Sequence, residues 1–137
     1  MINTRLSVAI HILALIATQQ GKALSSDFIA GSVNTNPVVV RRLSSLLKKA
    51  GILTSKPGQP GAKLIKEPEN ISLLDVYKAV QTHDDLFSIH EKPNPRCDIG
   101  SRIQVTLDTT FVRVQQAMEQ ELANQTLGDI LNDLSNT

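Results

Sequence analysis

The run Asn36-Pro37-Val38-Val39-Val40-Arg41-Arg42-Leu43-Ser44-Ser45-Leu46-Leu47-Lys48-Lys49-Ala50-Gly51 decides the fold. Asn is a good helix cap, because its side-chain oxygen accepts a backbone N–H that the first turn leaves without a partner. Pro suits the next position, where its missing N–H costs nothing. Gly51 is a natural stop. Stepping ~100° per residue from Val40 gathers Val39, Val40, Leu43, Leu46, Leu47 and Ala50 on one arc. The opposite arc holds Pro37, Val38, Arg41, Arg42, Ser45, Lys48 and Lys49. The run predicts a helix from 37 to about 50 with one face in a core and one basic face open.

Upstream, Leu6, Ala9, Ile10, Leu13 and Ala17 recur at helical spacing and predict a helix over 5–20, ended by Gly21. The apolar stretch from Leu6 to Ala17 resembles a secretion-signal core, but His11 and Ser7 interrupt it and only Arg5 precedes it. A buried first helix is expected instead. Ser25 opens a short second helix, with Leu24 and Ile29 placed to close a hydrophobic staple. Gly31 to Thr35 read as a turn. Downstream, Leu53–Ser55 and Ala62–Ile65 predict two short strands around the turn-rich Pro57-Gly58-Gln59-Pro60-Gly61.

Ser72 with Asp75 starts a fourth helix in the manner of a capping box, with Leu73, Val76 and Val80 on its apolar face. Periodicity fails from Thr82 to Gly100, a stretch with two prolines, four acids and the single cysteine, read as a loop. A long helix is predicted over about 101–124. Thr126 and Asp129 open a last short helix carrying Leu127, Ile130, Leu131 and Leu134. The expected class is mainly α with a small β-hairpin: a winged helix-turn-helix over 1–81, a sensor-type loop over 82–100, and a long C-terminal dimerisation helix plus the short helix over 101–137.

Length and composition bound the function. At 137 residues the chain suits one domain, or one domain with an extension. One cysteine excludes an intrachain disulfide or a four-cysteine metal site. Aromatic residues make up 3% of the chain, too few for a base-stacking platform. No apolar run approaches the ~20 residues of a membrane span, so no membrane role is expected and the protein is read as cytoplasmic. There is no Gly-rich phosphate loop, HExxH or nucleophile elbow, so an enzyme is not expected. The net charge of +1 hides a split. Residues 1–66 hold nine Lys/Arg against the single acid Asp27, a net +8; residues 67–137 hold five against twelve acids, a net −7. Such asymmetry points to a polyanion partner for the first half.

Helix, short helix, turn, helix and hairpin make a helix-turn-helix with a wing. A helix fits the major groove, where base edges carry a readable donor and acceptor pattern. A basic hairpin suits the backbone or the minor groove. From Asn36 to Lys66 there are seven basic residues and no acid. The expected contacts with double-stranded DNA are Asn36, Pro37, Val38, Arg41, Arg42, Ser45, Lys48, Lys49, Lys56 and Lys63. Arg41 and Arg42 are the base readers, since Arg can donate two hydrogen bonds to guanine. Val38 is placed for a thymine methyl, and Asn36 with the free N–H groups of that helix end for a phosphate.

The segments Val40-Arg41-Arg42-Leu43, Leu47-Lys48-Lys49-Ala50-Gly51-Ile52-Leu53, Ser55, Gly58 and Gly61 together resemble the Rrf-two family of bacterial winged helix-turn-helix regulators, the family of IscR, NsrR and CymR. The likeness continues through Glu67-Pro68-Glu69-Asn70-Ile71-Ser72-Leu73-Leu74-Asp75-Val76 and ends in Glu119-x-Glu121-Leu122 and Thr126-Leu127-x-Asp129-Ile130. It implies a sequence-specific transcriptional regulator, expected to be a repressor, that binds a pseudo-palindromic operator as a homodimer. The long helix would form the dimer interface, in agreement with a stripe of Ile103, Leu107, Phe111, Val114, Met118 and Leu122 at steps of three and four.

Two departures matter. Family wings commonly read Arg-Gly-x-x-Gly-Gly; here Pro57 stands at the Arg place and Ala62 at the last Gly place, so Lys56 or Lys63 has to substitute. Many members hold an iron–sulfur cluster on three cysteines after the fourth helix; here only Cys97 stands there, so no cofactor is expected. Cys97, His83 and His90 are evenly spaced and leave a thiol- or metal-responsive sensor as an alternative. A winged-helix module that meets an acidic protein is the other. The effector, or a regulatory protein partner, is not readable from these residues.

Overall fold

The computed structural model describes residues 4–19, 22–58, 61–81 and 93–137. Its elements are α1 (Arg5–Thr18), α2 (Ser26–Val33), α3 (Pro37–Lys49), β1 (Leu53–Thr54), β2 (Lys63–Leu64), a 3-10 turn (Pro68–Asn70), α4 (Leu73–Val80), α5 (Ile103–Asn124) and α6 (Leu127–Ser135). The mainly helical class with a small hairpin is what the sequence predicts. The 3-10 turn is additional.

The helix ends follow from their caps. Ser25 Oγ accepts the Phe28 N–H at 3.0 Å, and Asn36 Oδ1 accepts the Val38 N–H at 2.8 Å. At the end of α3, Gly51 takes φ +81. There the Gly51 N–H donates to the Lys48 carbonyl and the Ile52 N–H to the Leu47 carbonyl, each at 3.0 Å. This is a Schellman stop, and it reverses the chain directly into β1. Between α2 and α3 the turn is shorter than the expected Gly31 to Thr35. The helix continues through Gly31 to Val33, and Asn34, at φ 65, and Thr35 bend the chain. Asn tolerates this left-handed region better than other non-glycine residues.

The chain divides into two compact units, Met1–Gln81 with Leu122–Thr137, and Thr82–Glu121. In the first, α1 is the central element. Ala9, Ile12 and Leu13 are fully buried and pack with Val40, Leu43 and Leu47 of α3 and Val76 and Val80 of α4. His11, the residue that interrupts the apolar stretch of α1, lies with Nε2 3.1 Å from Ser32 Oγ of α2. The hairpin is antiparallel, with Leu53 opposite Leu64 and Thr54 opposite Lys63. The Ile65 N–H extends the ladder to the Ile52 carbonyl at 3.0 Å.

The first unit also takes in α6, which the expected segmentation grouped with the dimerisation helix over 101–137. Leu127 is fully buried in the same core as α1 and α3. Its N–H donates to the Ile71 carbonyl, and the Leu73 N–H donates to the Gln125 carbonyl, both at 2.8 Å. The C-terminal helix therefore belongs to the winged-helix body.

In the second unit, residues 95–102 form consecutive turns before α5. The Cys97 N–H donates to the Asn94 carbonyl, and Arg102 pairs with Asp98 at 2.8 Å on an exposed surface. No residue of α5 is buried. Among the described residues, no helix is long and apolar enough to cross a membrane.

Candidate nucleic-acid interface

The amphipathic split of α3 sets the site. Val40, Leu43 and Leu47 are buried, and Val39 and Leu46 pack against the core as half-buried residues. Ala50, expected on the apolar arc, is exposed, because it is the C-cap and lies past the last helical turn. On the opposite arc Val38, Arg41, Arg42, Ser45, Lys48 and Lys49 are all exposed, and Pro37 is half-buried. Val38, the expected thymine-methyl contact, is 48% exposed.

A notch of about 630 Å³ lies between α3, the start of α2 and the wing. Arg41, Ser44, Ser45 and Lys48 line it from α3, Ser25 and Ser26 from α2, and Ser55 and Lys56 from the wing. Three cations and five hydroxyls share this surface, and none of the lining residues is acidic. Hydroxyl and cationic donors of this kind are the groups that hold phosphate oxygens. Ser25, which lines the notch, is also the N-cap of α2, where its Oγ accepts the Phe28 N–H.

The structure thus brings Arg41, Ser45, Lys48 and Lys56 of the expected contacts into one concavity. Asn36, Val38, Arg42 and Lys49 are exposed on α3 or at its start but do not line the notch. Lys63 lines a different groove, with Lys22 and Lys66. The serines from α2, Ser44 and Ser55 were missed by sequence reasoning. Only Ser25 carries a local signal, its place as a helix cap. The wing turns on Gly58 and Gly61, at φ +79 and +89. A Cβ on Gly61 would lie 3.1 Å from the Ala23 Cα, so a side chain there would push the wing base off the α1–α2 connection.

The residues of the α5 stripe share one face. Ile103, Leu107, Phe111, Met118 and Leu122 are half-buried and Val114 is 42% exposed. Val105 and Val112 are exposed on another side of the helix. Of the sensor-type residues, Cys97 is exposed, and His83 and His90 lie outside the described residues.

The chain is similar to known proteins over nearly its whole length. The family model described as "Rrf2: Iron-dependent Transcriptional regulator" matches residues 2–133. YwnA of Bacillus subtilis (strain 168), by name an HTH-type transcriptional regulator, is 60% identical over 134 residues, 98% of this chain and 99% of YwnA. A crystal structure of a protein described as DNA binding is 56% identical, with a TM-score of 0.77 over 93% of this chain and 98% of that one. The IscR structure from T. potens has the same fold, with a TM-score of 0.71 at 20% identity over 98% of this chain and 88% of that one.

The family description raises the question of iron. Clusters take several thiolates, and this chain has one cysteine. Among the described residues, no three His, Cys, Asp or Glu side chains gather where a metal ion could be held. The donor set does not fit an iron–sulfur cluster within one chain. In sequence and in fold, over nearly its whole length, the chain belongs to the Rrf2 family of transcriptional regulators.

Proposed function

We propose that this chain is a cytoplasmic, sequence-specific repressor that binds a pseudo-palindromic duplex site as a homodimer, with no catalytic step. The observation that carries the reading is the acid-free notch, where Arg41 and Lys48 of α3 meet Ser25, Ser26 and Lys56. In this reading α3 enters the major groove, Arg41 and Arg42 read base edges, and Lys48, Lys49 and Lys56 neutralise phosphates. Pro57 replaces the wing arginine of related regulators, so the wing contributes charge through Lys56 rather than base reading. Two-fold pairing is the simple way to lengthen the site. The 22-residue α5, with no buried residue, supplies the surface for it through Leu107, Phe111, Val114 and Met118.

Selection of bound sequences from a random duplex library tests the reading. The expected result is an inverted repeat, bound by two chains. Arg41→Ala or Arg42→Ala should weaken binding by about 1–3 kcal/mol and relax the preference at one position of each half-site. Uniform weakening on all sequences would remove both residues from base reading. Enrichment of no duplex, together with capture of an acidic protein, would favour the interaction-module reading.

A further inference from the structure

A second groove adjoins the notch. Its volume is about 570 Å³, within the ordinary range of small-molecule sites. Ile16 and Gln19 of α1, Lys22 to Leu24 of the α1–α2 connection, and residues 61–68 of the wing's return line it. Ile16 is buried, and Leu24 and Leu64 are half-buried, so the floor is apolar. Around it stand Lys22, Lys63 and Lys66 against the single acid Glu67, three cations and one anion for a net +2. All three lysines are exposed, and none forms an ion pair among the described residues.

We propose that this groove binds a small organic anion: a carboxylate held by Lys22 and Lys66, with an apolar stem against Ile16, Leu24 and Leu64. Charge complementarity selects the head group and the apolar floor selects the stem. A bare inorganic anion would leave that floor unused, and a cation would meet three like charges.

The groove has a route to the DNA site. Ile16, Leu24, Gly61 and Ala62 line both the groove and the notch. Gly61 is in close contact with Ala23, so the wing base and the α1–α2 connection share one wall. A ligand seated against that wall displaces the base of the wing, which carries Lys56 into the notch, and it therefore weakens duplex binding. By linkage the duplex weakens the ligand by the same factor. Only this consequence rests on the DNA-binding reading; occupation of the groove is a property of the protein alone.

The test uses the full-length protein and hexanoate as probe, followed by amide chemical shifts in nuclear magnetic resonance. Hexanoate is taken to about 10 mM, ten times the concentration that half-fills a millimolar site. Saturable shifts are expected at Lys22, Leu24, Leu64 and Lys66, and none with hexylammonium, which has the same stem and the opposite charge. The double variant Lys22→Gln/Lys66→Gln should lose at least tenfold in hexanoate affinity while its duplex binding without hexanoate stays unchanged. Hexanoate should lower the wild type's duplex affinity severalfold and leave the double variant's unaltered. Shifts that do not saturate, or that spread evenly over all surface lysines, would overturn the proposal. So would a double variant that binds duplex more weakly with a flatter salt response, since the groove would then be part of the phosphate track. Failure to bind any duplex, with the hexanoate shifts intact, would count against the DNA reading and not against the groove.

Discussion

Ser72 and Thr126 are the N-caps of two different helices, α4 and α6, and they also pair with each other in an isolated antiparallel bridge. Each forms a full capping box: Ser72 with Asp75, and Thr126 with Asp129. The bridge is completed by the two 2.8 Å backbone bonds from Leu73 to Gln125 and from Leu127 to Ile71. Two helix starts are thereby fastened back to back, which anchors the C-terminal helix to the winged-helix body.

Loss of either cap should therefore be felt beyond its own helix. Ser72→Ala and Thr126→Ala should each cost about 1 kcal/mol in urea denaturation at fixed protein concentration. The double variant should depart from the sum of the two, because the sites share the bridge. Strict additivity would mean that the bridge transmits nothing.

The placement of α6 in the core gives a sharper contrast. Leu127 is fully buried, whereas Leu134 of the same helix is 57% exposed. Leu127→Ala should cost about 2–5 kcal/mol, as for other large-to-small changes in packed cores. Leu134→Ala should stay within about 0.5 kcal/mol, as surface substitutions usually do. Comparable losses at the two positions would remove α6 from the body.

Most of the first unit is legible in the sequence because its signals are local. Asn36-Pro37 and Gly51 bound α3, and its period sorts buried from exposed residues except at Ala50, which is exposed, and Pro37, which is half-buried. The two capping boxes are visible as Ser72 with Asp75 and Thr126 with Asp129. Features that depend on distant partners are not legible. The 3-10 turn Pro68–Asn70 is too short to show a period, and the docking of Leu127 onto Ile71 needs the tertiary fold. The notch collects serines from α2, α3 and the end of β1, and no spacing along the chain connects them. Lys63 and Lys56 look equivalent as wing lysines, yet they line different grooves.

That difference separates the two lysines in binding experiments. Lys56→Ala should weaken binding to every duplex alike and flatten the salt dependence by about one unit for each phosphate no longer neutralised. Lys63→Ala should change the salt dependence less. Equal effects would place both on the phosphate track.

Assembly and control are tested by two variants. Val114→Glu puts a charge in the α5 stripe, where pairing would bury it without a partner, an unfavourable outcome. Sedimentation should show a monomer, with operator binding abolished and the helical circular dichroism retained. Cys97→Ser should keep dimerisation and DNA binding, since one exposed thiol is a poor cluster donor set. A dimeric Val114→Glu protein would refute the interface. Stoichiometric iron and sulfide in purified wild type would refute the cluster-free reading.

The central claim is that the basic face of α3 and the notch beside it hold duplex DNA. The most direct measurement is the affinity for a selected duplex as a function of salt concentration, for the wild type and for Lys48→Gln. A dimer that places Lys48, Lys49 and Lys56 on phosphates twice over should give a log–log slope of roughly −5. Lys48→Gln should flatten it by about two units, at roughly 0.9 for the one phosphate each protomer then leaves unneutralised. A slope near zero, or one that Lys48→Gln leaves unchanged, would contradict the account.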